Sequence, residues 1–128
     1  MTGRRSLFAL AGASLFLPAV ARAQASWPDR PVRIIVPFPP GQSTDIVARL
    51  VADALSARWP QRVVVENRGG GAGVPAMEAA ARSPADGTTL VAGSIGPMAV
   101  NAAVMPRLPY DPERDFAPIT NLTMVPLC

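Results

Sequence analysis

Seven residues, Pro39-Pro-Gly-Gln-Ser-Thr-Asp45, bring two prolines, a glycine, two hydroxyls and a carboxylate between a β-branched run and a helical pattern. These residue types suit the holding of an anion rather than the making or breaking of a bond. The first N–H groups of a helix lack intrahelical partners and carry partial positive charge. A phosphate or carboxylate can fill that gap. Ser43 is the expected cap, with Thr44 next, because a hydroxyl there accepts a backbone N–H. The loop follows Ile34-Ile35-Val36, which reads as a buried strand, and open α/β sheets place ligands at the carboxyl ends of their strands. An ordinary capped helix has the same signature, so the stretch does not by itself separate binding from structure.

Two more stretches belong with it, Asn67–Gly73 and Gly93–Pro97, both rich in glycine. Glycine lets a ligand approach the backbone, and successive N–H groups can form an anion-binding concavity. Gly71-Ala72-Gly73-Val74-Pro75-Ala76 satisfies G-x-G-x-x-A. The acid that would bind a ribose is missing, however, since Ser94-Ile95-Gly96 stand near the end of the next strand. The first loop lacks the spacing and the lysine of a P-loop. Asp45 and Glu66 read as structural, one at a helix start and one at a strand end. Asn121-Leu122-Thr123 matches a glycosylation sequon, a pattern that usually occurs by chance.

Composition excludes several classes. The chain contains no histidine and one cysteine, which leaves no imidazole acid–base pair and no thiolate or imidazole metal site. Cys128, the last residue, has no intrachain partner. All twelve basic residues are arginine, and three of them (Arg4, Arg5, Arg22) lie in the first 23 residues, where there is no acid. Beyond that segment the nine basic and nine acidic residues balance, so no basic stripe for nucleic acid remains. Arg4-Arg5, the apolar run Leu7–Val20 and Ala21-Arg22-Ala23 form a charged region, a hydrophobic region and a small-x-small cleavage site. Residues 1–23 are therefore expected to be a signal peptide cut after Ala23, with Ala25 the alternative. Gly12 and Pro18 interrupt the run, which is short of the roughly 20 apolar residues of a membrane span. Arg4-Arg5-Ser6-Leu7-Phe8 is similar to a twin-arginine signal, and a general secretory signal fits as well.

The elements that must position the loops follow in order. Val32–Val36 is a strand. From Ser43 to Arg58, Ile46, Val47, Leu50, Val51, Ala54 and Leu55 fall at helical spacing and predict one buried face. Trp59-Pro60 ends that helix. Arg62–Glu66 is a second strand, Pro75–Arg82 a second helix, Ser83–Gly87 a turn and Thr88–Ala92 a third strand. A short helix is expected over Met98–Val104. Alternating strands and helices predict crossovers and a parallel sheet covered by helices.

With these residues placed, the chain resembles the substrate-binding receptors of tripartite tricarboxylate transporters, the Bug-type extracytoplasmic solute receptors. The resemblance runs from Trp27-Pro28 to about Val125. It rests on Pro31–Gly41, Ser43-Thr-Asp45, Val63–Arg68 with its glycine turn, Pro84-Ala-Asp-Gly87, and Leu108–Pro112 running into Asp115-Phe116. It implies an α/β fold of the type II periplasmic binding protein kind, with residues 24–128 forming an incomplete N-terminal lobe of a two-lobed receptor. It further implies a periplasmic location, a small carboxylate or related polar metabolite as ligand, membrane transporter subunits as partners, and neither cofactor nor catalysis. The ligand residues carried over by position are Phe38, Pro40, Gly41, Ser43, Thr44 and Asp45 on the first loop and Ser94 and Gly96 on the third, with Gly69–Gly73 secondary. Gln42 departs from the family, which commonly has a second glycine there. Read as such a fragment, the chain is expected to be impaired in binding on its own. An exported α/β enzyme or a nucleotide-binding module would need its reactive groups or its phosphate-binding lysine elsewhere.

Overall fold

The structure is a computed structural model that describes residues 26–124; the expected leader and Cys128 lie outside them. Strand β1 (Val32–Val36) is the centre of the sheet. Four of its five residues are buried, as expected for a β-branched strand covered on both faces. Strand β2 (Val63–Asn67) pairs with it in parallel from Val32↔Val63 to Val36↔Asn67, and β3 (Thr89–Val91) pairs in parallel on its other side, with Ile34 opposite Leu90. The order is β2-β1-β3. The chain leaves β1 towards one side and returns to β1's other side after β2. A reversal of this kind opens a crevice at the carboxyl ends of the two diverging strands.

Side-chain alternation along β1 divides the core into two layers. Val32, Ile34 and Val36 face helix α1 (Ser43–Ser56), where Ala48 and Ala52 close against them together with Val63 and Ala92. Val51, Leu55 and Trp59 complete this layer. Ile35 points the other way, towards helix α2 (Val74–Ala81), whose Ala76 and Met77 are fully buried. Small alanines on both helices allow close approach to a strand of bulky β-branched residues.

The buried stripe of α1 is rotated from the expected one. Asp45, Ala48 and Ala52 are its fully buried residues, whereas Ile46 is 52% and Leu50 65% exposed. Hydrophobic spacing alone favours the larger side chains. The sheet instead takes the alanines because they let the helix axis sit closer, and it takes Asp45 because that carboxylate has partners inside. The helix stops where expected: the Ala57 and Trp59 N–H groups donate to the carbonyls of Asp53 and Leu55, and Pro60 follows. The Ser56 hydroxyl then accepts the Val63 N–H at 2.8 Å, so the helix end also fixes the start of β2.

The remaining elements are short. A 3₁₀ turn (Gly71–Gly73) leads into α2, a π-helical turn (Gly96–Val100) follows β3, and α3 (Asn101–Val104) continues it. The expected helix over Met98–Val104 thus starts two residues earlier and contains a wide turn. At the amino edge of the sheet, Trp27 meets Trp59 edge-to-face at 5.0 Å, and Arg30 pairs with Asp86.

Packing of this kind predicts opposite outcomes for two aliphatic truncations. Ile35→Ala, at a fully buried site, is expected to cost about 2–5 kcal/mol. Leu50→Ala, on the exposed face of α1, is expected to stay within about 0.5 kcal/mol. Urea unfolding followed by circular dichroism checks both, and an equal loss for the two would contradict the rotated stripe.

Candidate functional site

Because the three strands are parallel, the loops that follow them emerge at one edge. The first begins at Pro37, the second at Arg68 and the third at Ala92. They touch. Gly73 sits with φ +81°, a conformation other residues rarely adopt, and a Cβ there would lie 2.9 Å from Pro97 Cγ and 3.0 Å from Pro37 Cβ. One glycine therefore joins all three loops. The second loop also rests on the first, since a Cβ at Gly69 would lie 3.0 Å from Pro39. The glycines of the G-x-G-x-x-A pattern thus have a packing role here.

The first loop is held from behind by a buried carboxylate. Asp45 is 2% exposed, and both its oxygens are occupied. Oδ2 accepts the Gly41 N–H at 2.8 Å and Arg49 Nε at 3.1 Å. Oδ1 accepts Asn67 Nδ2 at 2.8 Å and Arg49 Nη2 at 3.0 Å. Asn67 Nδ2 also donates to the Phe38 carbonyl at 3.2 Å, while its Oδ1 accepts Arg49 Nη2 at 2.9 Å. Phe38 and Gly41 are thereby pinned at the two ends of Phe38-Pro39-Pro40-Gly41, and the prolines between them have no N–H to satisfy. The hydrogen bonds from Arg49, then Gly41, then Asn67 hold the Asp45 carboxyl at about 2, well below its ordinary value.

Capping of α1 differs from expectation. Gln42, not Ser43, is the residue before the first helical turn, and its side chain makes no cap; its carbonyl accepts the Ile46 N–H at 3.0 Å. The reason is Gly41, whose φ of +88° turns the chain one residue early. Asp45 then reaches back to the Gly41 N–H, much as the acid of a capping box reaches back to its helix start. Ser43 is exposed and Thr44 half-buried on the first turn, where the leading amides have no side-chain cap.

The third loop offers a second open stretch of backbone. Ser94 is half-buried, and its carbonyl accepts the Met98 N–H at 3.0 Å. Gly96 opens the π-helical turn, and a Cβ built on it meets nothing within 4 Å. Gly41 and Gly70 are equally unobstructed. Behind this loop, Asn101 and Tyr110 are 4% and 5% exposed. Asn101 Nδ2 donates to the Ala72 carbonyl at 2.9 Å and to the Tyr110 hydroxyl at 3.4 Å, and that hydroxyl donates to the Pro97 carbonyl at 2.6 Å.

The eight residues carried over by resemblance therefore lie on two loops that meet at Gly73. Gly41, Ser43, Thr44 and Gly96 carry the unobstructed backbone. Phe38 and Pro40 shape the first loop, and Asp45 faces inward. Sequence reading gave no role to Asn67, Asn101 or Tyr110. The only signal at Asn67 and Tyr110 was a polar residue near a glycine or proline turn, Asn101 had none, and the partners lie 9 to 29 residues away along the chain. Glu66 is structural, paired with Arg68 and Arg33. At the opposite edge, a concavity of about 210 Å³ lies between Trp27, Asp29, Arg30, Asp86 and Thr88. Its Arg30 and Asp86 are paired with each other.

Comparison with known proteins identifies the family. The family model described as "Tripartite tricarboxylate transporter family receptor" matches residues 47–128. Protein BugT of Bordetella pertussis is 46% identical over 103 residues, which are 80% of this chain and 32% of BugT. Among solved structures, MatC from Rhodopseudomonas palustris with bound malate is 37% identical with a TM-score of 0.68, covering 72% of this chain and 31% of MatC. An R. palustris protein solved with adipate is 42% identical with a TM-score of 0.65, covering 68% of this chain and 29% of that protein. The chain spans about a third of the length of the curated relatives it matches. It belongs to the tripartite tricarboxylate transporter receptor family, whose fold is that of periplasmic binding proteins.

The pinned loop has a pH signature. Because the Asp45 carboxyl titrates lower in the folded chain than in the unfolded one, its stabilisation is complete above about pH 4 and is lost as pH falls towards 2. Asp86, held below its ordinary value chiefly by the Thr88 hydroxyl, acts in the same direction. Thermal melts from pH 6 to pH 2 are expected to show a steep fall for the parent chain. A shallower fall, starting from lower stability, is expected for Asp45→Asn. Parallel curves would remove Asp45 from this role.

Proposed function

We propose that this receptor-family chain carries one wall of a periplasmic site that holds a small carboxylate for delivery to a tripartite tricarboxylate-type transporter. The observation that carries the reading is the pairing of two unobstructed backbone stretches at the carboxyl edge of diverging parallel strands. One is the uncapped start of α1 after Gly41, and the other is the turn at Ser94–Gly96. A carboxylate oxygen can accept from the Ser43 and Thr44 amides, with the α1 dipole favouring its charge. The hydroxyls of Ser43 and Thr44 stand beside these amides, and Ser94 and Gly96 supply the facing contacts. Asp45 acts from behind: its own charge is neutralised by Arg49, so it shapes the loop without repelling the ligand. Relatives solved with malate and with adipate support a dicarboxylate of four to six carbons.

The matching family model is that of a receptor, and binding without chemical conversion is the role this reading gives the edge. Delivery requires export, and residues 1–23 supply the signal, with cleavage after Ala23. Two-lobed receptors close a second wall over the ligand. The wall carried here supplies half of the contacts and is expected to bind carboxylates only weakly by itself.

Binding is best measured by isothermal titration, both on the chain and on a BugT receptor whose corresponding segment is replaced by it. Malate and adipate are the probes, with a nucleoside triphosphate as control. Gly96→Ala is the decisive variant, because a Cβ there meets no atom of this chain and would narrow the proposed site without disturbing the fold. It is expected to weaken carboxylate binding at least about tenfold, the equivalent of about 1.4 kcal/mol, with thermal stability unchanged. Undiminished binding by Gly96→Ala, or preference for the nucleotide, would refute the placement. Export has its own check: periplasmic material should show an intact mass beginning at Gln24.

A further inference from the structure

We propose that Asn101 and Tyr110 are positioning residues that set ligand affinity by locking the third loop, without touching the ligand. The inference rests on the carboxylate reading above and adds a role that this reading does not require. The π-helical turn over Gly96–Val100 is the starting point. Its wide geometry sends the Asn101 N–H to the carbonyl of Gly96, five residues back. Turns of this kind are uncommon and occur often at functional sites. Here the turn follows directly on Ser94–Gly96, and Pro97 at its start has no N–H. Local hydrogen bonding at Gly96 is thus limited to two carbonyls, Ser94 accepting from Met98 and Gly96 accepting from Asn101.

A further constraint comes from outside the turn. Tyr110 is buried, its ring edge-to-face with Phe116 at a centroid distance of 6.1 Å, and its hydroxyl donates to the Pro97 carbonyl at 2.6 Å. The same hydroxyl accepts from Asn101 Nδ2, which also donates to the Ala72 carbonyl. One buried pair thus ties the third loop to the glycine turn of the second, and Gly73 in that turn presses on Pro37 of the first. Leaving such buried groups unpaired is costly, so the connected arrangement is strongly preferred over its alternatives. The pair makes no contact with the open side of Gly96, where the ligand is placed. It acts on the fraction of molecules whose third loop is ready to bind, and apparent affinity scales with that fraction.

Tyr110→Phe removes one hydroxyl and keeps the ring, and Asn101→Ala removes the other member. Two measurements test the inference. Amide hydrogen exchange on the 128-residue chain is expected to lose protection at Gly73, Met98 and Asn101, whose N–H groups donate to the carbonyls of Gly70, Ser94 and Gly96, by about five- to tenfold, the range one buried hydrogen bond supports, with the amides of β1 unchanged. In the BugT-grafted receptor, malate association is expected to slow by a similar factor while dissociation stays the same. Lost ligand contact would instead speed dissociation, and a merely structural role would lower the melting temperature while leaving both rates of the folded receptor intact. The double variant is expected to be no worse than the poorer single variant. Unchanged exchange at Met98 and Asn101 overturns the locking role, and faster dissociation with unchanged association overturns the mode of action. If the parent graft fails to bind any carboxylate, the binding reading falls and affinity control falls with it, whereas the exchange result still decides the lock.

Discussion

The structure depends on a charge that is hidden from solvent yet fully matched. Asp45 lies on the buried face of α1, where an unpaired carboxylate would not be tolerated. Four donors surround it, from the backbone at Gly41 and the side chains of Arg49 and Asn67. The three residues belong to different features: the loop before the helix, the helix itself and the end of the neighbouring strand. Satisfying one carboxylate therefore fixes where the helix begins, how the loop turns and where β2 ends. The rotation of α1 follows from the same constraint, because bringing Asp45 inward also brings in Ala48 and Ala52, at successive intervals of about one turn, and turns Leu50 outward.

Under the proposed carboxylate reading, this arrangement also accounts for how an anion can approach a loop that contains an acid. The Asp45 charge is compensated within a few ångströms by Arg49, so its field at the outer surface is that of a dipole. Local attraction then comes from the helix start, which lacks a side-chain cap. No free cationic side chain is needed at the rim, and the arginines nearest to it, Arg49 and Arg68, are engaged with Asp45 and Glu66. Recognition of this type depends on shape and on backbone direction. It makes the rigidity of the loops more consequential than the charges on them.

Much of this was legible in the sequence, and the limits have physical causes. Strand–helix alternation and the breaks at Trp59-Pro60 and Ser83–Gly87 gave the elements to within two residues, because local propensity and proline sterics decide them. The parallel sheet followed from the same alternation. The buried face of α1 was misjudged because spacing treats Ile46 and Leu50 as core, whereas close packing on β1 selects Ala48 and Ala52. The cap was assigned one residue late because Ser43 is a good capping type, and the positive φ of Gly41 is invisible until the chain is folded. Asn67, Asn101 and Tyr110 were missed for a more general reason. An amide or hydroxyl acquires meaning only from its partners, and theirs lie on other elements.

The separation between residues that hold the loops and residues that border the open edge bears on how the protein can change over generations. Gln42 and Ile95 are both exposed and flank the two unobstructed backbone stretches, and neither side chain takes part in the pins. Mutation at these two places alters the size and polarity of the rim while leaving Asp45, Asn67, Asn101 and Tyr110 in their networks. On the proposed carboxylate reading, drift in ligand preference is uncoupled from the threshold of foldability that limits most proteins. A gene duplicate could diverge towards a new metabolite by single substitutions, each stable enough to be inherited before the next arises.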